Sequence, residues 1–128
     1  MGSPVLYSII ESPTHPNLSG LYRRLGIEEL RLASQRKAVQ AIKTRAPDWV
    51  VAEFFYGFGN NYAGANLSNL DVLLGSLQRY APKARVLVLV ANDQRAYVDR
   101  LAERFPLHRV LVQPVREEEV EALLTETG

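Results

Sequence analysis

The sequence predicts an α/β fold, a three-layer doubly wound parallel sheet built from five strand–helix units in one domain spanning residues 1–128. Three observations carry this. Trp49-Val50-Val51-Ala52 and Val86-Leu87-Val88-Leu89-Val90 run apolar without alternation, as strands covered on both faces do. Glu29 to Ala33 alternates strictly, as a half-exposed edge strand does. Between such runs lie segments with apolar residues three and four apart, and that alternation implies a parallel sheet with helices on both faces.

The elements follow in order. Val5 to Ile10 is the first strand, leading into Glu11-Ser12. Thr14 or His15 is placed to cap a short helix with Pro16 at its first position. Leu18, Leu21, Tyr22 and Leu25 form its apolar stripe, and Gly26 is placed to end it in a left-handed conformation. After the edge strand, Ser34 caps a helix burying Ala38, Val39, Ala41, Ile42 and Ala46, which Pro47 closes. The Trp49 strand then runs into Glu53.

Residues 54 to 65 read as a loop of aromatics among glycine and asparagine. Ser68 and Asp71 have the spacing of a capping box, and Leu70, Leu73, Leu74 and Leu77 give the next helix, which ends near Tyr80. Arg85 to Ala91 is the fourth strand. Asn92 or Asp93 is expected to cap a helix whose inner face is Tyr97, Val98, Leu101, Ala102 and Phe105. Arg109 to Gln113 is the fifth strand, stopped by Pro114. Val120, Leu123 and Leu124 mark a last helix from about Arg116, with acids in its first turn where the helix dipole favours them.

Composition narrows the function. A chain of 128 residues buries roughly two thirds of its unfolded surface and needs no staple. It has no cysteine, which excludes disulfides and thiolate metal sites. The net charge of +1 gives no reason to expect nucleic acid, and no apolar run reaches the length of a membrane span. His15, Glu11 and Glu53 match no zinc spacing, so His15 reads as a loop residue. Residues 22 to 46 are basic, which reads as a solvated helix face without interleaved aromatics. Gly57-Phe58-Gly59 lacks the context of a dinucleotide fingerprint.

The run Pro47-Asp48-Trp49-Val50-Val51-Ala52-Glu53, the run Val86 to Ala91, and Val110-Leu111-Val112-Gln113-Pro114 together resemble the third, fourth and fifth strands of response-regulator receiver domains. These have a flavodoxin-like fold, and the resemblance covers nearly the whole chain. It implies the strand order 2-1-3-4-5, a cytoplasmic place in bacterial two-component signalling, and protein partners.

The family's phosphoacceptor aspartate is matched by Glu53. Its Mg²⁺-holding acid pair is matched by Glu11 and Ser12, its hydroxyl residue by Val90, its lysine by Gln113, and its aromatic switch by Val110. By this comparison the pocket is degenerate and the chain is a pseudo-receiver: not an enzyme, without cofactor or bound metal, acting by protein contact. The alternatives are an active phosphoacceptor with an altered site and a flavodoxin-like binder of small ligands. Glu53 itself reads as a solvated acid at a strand end, with Gln113 as an uncharged hydrogen-bond partner. Phe55, Tyr56, Phe58 and Tyr62 are expected to form an interaction loop, with at least two of them exposed or in a contact. A homodimer through Arg95, Arg100 and Arg104 against Glu117, Glu118 and Glu121 is a further expectation.

Overall fold

A computed structural model of the chain describes residues 2–56 and 68–126. Its elements are β1 (Val5–Ile9), α1 (Ser19–Arg24), β2 (Glu28–Leu32), α2 (Gln35–Ile42), β3 (Trp49–Glu53), α3 (Asp71–Tyr80), β4 (Arg85–Val90), α4 (Arg95–Arg104), β5 (Arg109–Val112) and α5 (Glu117–Leu124). All strand pairs are parallel, in the order β2-β1-β3-β4-β5. The two unbroken apolar runs are β3 and β4, next to each other inside the sheet, and the alternating run is the β2 edge.

Alternate residues of the central strands feed two cores. Tyr7, Val50, Ala52, Val88 and Val90 pack under α2, α3 and α4, against Ala38, Leu73, Leu77 and Leu101. Leu6, Trp49, Val51, Leu87 and Leu89 pack under α1 and α5, against Leu21, Tyr22, Val120 and Leu123. Burial on both faces is what the absence of alternation required.

Local signals work where one residue decides them. Gly26 has φ +74°, and the amides of Gly26 and Ile27 bond back to the carbonyls of Arg23 and Tyr22, a Schellman close for α1. Ser34 caps α2, its hydroxyl accepting from the Lys37 amide at 3.1 Å. Ser68 and Asp71 do pair, the Ser68 amide donating to Asp71 Oδ1 at 2.6 Å, although Leu70 holds the cap position of α3.

Other expectations are corrected. Helix α1 begins at Ser19 with Leu18 at its cap, so neither Thr14 nor His15 caps it and Pro16 precedes it. Thr14 and His15 are committed elsewhere, as described below. Helix α2 ends at Ile42, well before Pro47, and Ala46 is exposed. Neither Asn92 nor Asp93 caps α4 by a side chain; residues Asn92–Gln94 form a 3-10 turn. On α4, Val98 and Leu101 face in, while Tyr97, stacked on Tyr56, and Ala102 are exposed, so the buried stripe is narrower than the periodicity allowed.

Candidate functional site

The loops at the carboxyl ends of β1, β3 and β5 converge on Glu53, where open α/β sheets place their sites. Glu53 is 1% exposed, which corrects the expectation of a solvated acid. A carboxylate taken from water needs hydrogen-bond donors in exchange. Ser12 Oγ lies 2.9 Å from both carboxylate oxygens. Thr14 Oγ1 donates to Oε2 in a short contact. Gln113 Nε2 donates to Oε2 at 3.0 Å and to the Thr14 carbonyl at 3.3 Å. With both hydroxyl protons given to Glu53, Ser12 Oγ is left to accept from the Thr14 amide at 3.2 Å. The Glu53–Gln113 bond was expected from sequence; the two hydroxyls bracketing Pro13 were not assigned to this acid.

Glu11 sits beside this pocket in a different network. Its Oε1 accepts from Gln35 Nε2 at 2.8 Å and from Asn69 Nδ2 at 2.9 Å. Asn69 also donates to the Glu53 carbonyl at 2.8 Å and accepts from the Phe55 amide at 2.8 Å. It thereby fastens the loop after β3 to the start of α3. Sequence reasoning passed over Asn69; the available signal was an amide side chain directly before a helix, where it competes for backbone groups. Val90 is fully buried among apolar side chains. His15 is buried, with Nδ1 3.0 Å from the Pro16 carbonyl and Nε2 3.5 Å from the Val51 carbonyl.

Several solved structures share this fold. The receiver domain of NtrX from Brucella abortus superposes with TM-score 0.70 at 18% identity, over 94% of this chain and 93% of that one. The receiver domain of sensor histidine kinase PA1611 from Pseudomonas aeruginosa, which holds a magnesium ion in its active-site cleft, gives TM-score 0.68 at 14% identity over 96% and 95%. The fold is that of receiver domains. Against the longer NtrX chain, TM-score 0.70 at 17% identity, this chain spans 26% of the length. No protein-family model and no curated protein matches the sequence.

Against receiver chemistry, the residues present do not fit Mg²⁺. Such an ion wants hard oxygens in octahedral array. Ser12 stands where a second acid would, and its hydroxyl donates to Glu53. Both Glu53 oxygens and one of Glu11 are already engaged by neutral donors. Among the described residues no three His, Cys, Asp or Glu side chains converge on a common point.

The aromatic segment divides. Phe54 is buried, Phe55 is half-buried, and Tyr56 is 41% exposed. Phe58 and Tyr62 lie outside the described residues. Tyr56 stacks on Tyr97 of α4 with ring centroids 4.0 Å apart, and its amide donates to Gln94 Oε1 at 3.1 Å. The segment after Glu53 is thus tied to α4.

The charges assigned to a two-fold contact are largely spent within the chain. Arg24 bonds both Glu117 and Glu121 at 3.1 Å, Arg95 bonds Asp99 at 3.0 Å, and Arg104 reaches Asp71 at 3.3 Å. These pairs engage Arg95, Arg104, Glu117 and Glu121 within the chain, while Arg100 and Glu118 are exposed. Among the described residues no helix is long and apolar enough to cross a membrane.

Proposed function

We propose that this chain is a receiver-like signalling module that acts by protein contact, independently of phosphoryl transfer, and is not an enzyme. The observation that carries the reading is the buried Glu53 carboxylate, filled by Ser12, Thr14 and Gln113 from its own chain. A carboxylate that accepts a phosphoryl group must offer a lone pair in line with the leaving group, and cations must balance the charge developing on the phosphoryl oxygens. Here Oε2 accepts from Ser12, Thr14 and Gln113 and Oε1 from Ser12, all of them neutral donors. Gln113 brings hydrogen bonds where the family's lysine brings charge, and Val90 brings a methyl where the family has a hydroxyl.

The same substitutions support a fixed state. With Val90 and Val110 in the switch positions, no hydroxyl is drawn toward a phosphoryl group. The link from the pocket to α4 is instead the Tyr56–Tyr97 stack and the Gln94 bond, both formed without any modification. The test is treatment with acetyl phosphate and Mg²⁺ followed by intact-mass measurement, with a phosphorylatable receiver domain as control. The expected result is no phosphoryl adduct on this chain. A labile adduct mapped to Glu53 would overturn the reading.

A further inference from the structure

The faces of α2 and α3 that point away from the sheet have a charge balance unlike the rest of the chain. Arg36, Lys37 and Lys43 are exposed along and just after α2. Arg79 on α3 and Lys83 beyond it are exposed as well. The one acid on either helix, Asp71, is buried and faces Arg104 of α4. A chain of net charge +1 therefore gathers several unneutralised cations on one helix pair.

Two large apolar side chains stand out of the same surface. Val72 is 58% exposed and Tyr80 is 43% exposed, two turns apart on α3. Lys43 Nζ and Arg79 Cζ lie 5.4 and 5.3 Å from the Tyr80 ring centroid. Between Val72 and Tyr80 the helix carries Gly75 and Ser76. A Cβ on Gly75 would meet nothing within 4 Å, so packing inside the chain gives no reason for a residue that weakens a helix. Small residues at that point let another backbone approach α3 closely.

We infer that the α2–α3 face docks an acidic amphipathic helix of a partner protein, with Val72 and Tyr80 as apolar anchors and Lys43 and Arg79 pairing its carboxylates. Charge complementarity selects the acidic partner, since an unneutralised basic rim steers and orients an anionic surface. The apolar strip is about two helical turns long, the footprint of a packed helix. Single-stranded nucleic acid fits less well, because a stacking track needs successive aromatic rings and Tyr80 is the one exposed aromatic described on α2 and α3. An anionic membrane would call for larger inserted side chains than one valine and one tyrosine. The inference does not depend on whether Glu53 can accept a phosphoryl group.

The experiment is to pan a random helical-peptide display library on the full chain and to measure the selected peptides against variants of this face. Selected peptides are expected to carry Asp or Glu on one face and apolar residues on the other. Binding should fall at least about tenfold with Lys43→Glu/Arg79→Glu, and again with Val72→Asp. Gly75→Leu should do the same without altering charge, and lysine-for-glutamate peptides should recover binding to the charge-reversed variant. Far-UV circular dichroism and melting of each variant separate lost binding from lost folding. Peptides without an acidic bias, or with unchanged affinity for the variants, would overturn the inference. So would an oligothymidine or a phosphatidylserine vesicle that binds the same residues more tightly than any selected peptide.

Discussion

The Glu53 pocket and the α2–α3 face treat charge in opposite ways. Glu53 is an anion drawn inside, and donors from two other loops converge to replace the water it lost. Lys43 and Arg79 are cations left outside, resting on Tyr80 with no acid of their own helices to meet them. In the first region every hydrogen bond is bought by backbone order in several segments, so the arrangement is specific and stable but has little left to offer a ligand. In the second the side chains keep their solvation and their charge, so they contribute little to stability and remain available. Receiver domains are expected to be reactive at the first place, and in this chain the acid there is buried and bonded to neutral donors.

The largest expected effect tests the inward half of that contrast. Glu53→Ala removes the acceptor shared by Ser12, Thr14 and Gln113, leaving Gln113 the Thr14 carbonyl and the two hydroxyls each other, and is expected to cost about 2 kcal/mol in a denaturant melt. A change within error would show that the hydroxyls and the amide rearrange freely, and that the pocket is not tightly ordered.

Next comes an alkaline limit set by buried phenols. The Tyr7 hydroxyl donates to the Arg45 carbonyl, and burial pushes it up to about 12 against the opposing charge of Arg45. The folded state thus holds its proton more tightly than the unfolded chain. The stability this brings is complete below the ordinary value of 10.0 and is lost as pH rises from there toward about 12. Tyr7→Phe should flatten part of that fall, leaving what Tyr22 contributes, since burial and then Glu29 raise its hydroxyl too.

The smallest effects belong to the outward face. Gly75→Ala is expected to add up to about 1 kcal/mol, because nothing in the chain opposes the new methyl group. Lys43→Glu should stay within about 0.5 kcal/mol of the parent chain, as exposed substitutions do. A large loss from Lys43→Glu would mean that this surface is structural and would erase the contrast.

How much of this could be read from sequence follows from the range over which each feature is decided. The sheet was legible because β3 and β4 announce their burial within a few consecutive residues. Gly26 and Ser34 were legible because one side chain, or its absence, settles a helix end. Glu53 was misread as solvated because its environment is made by Ser12 and Thr14 some forty positions earlier and Gln113 sixty later. The place of Asn69 before a helix is a local signal, but its bonds to Glu11 and the Glu53 carbonyl join distant segments. The basic stretch was read without an aromatic because Tyr80 reaches it from another helix. Tyr97 was placed inside by periodicity, and stacking on Tyr56 holds it outside.

A pocket closed by its own donors does not respond to a phosphoryl group. The most direct test is an amide NMR titration of the chain with Mg²⁺ and beryllofluoride, a phosphoryl mimic. The amides of Ser12, Thr14, Glu53 and Gln113, and those of α4, are expected to keep their positions throughout. A new set of resonances at these residues, appearing in slow exchange and spreading to Tyr97, would contradict it.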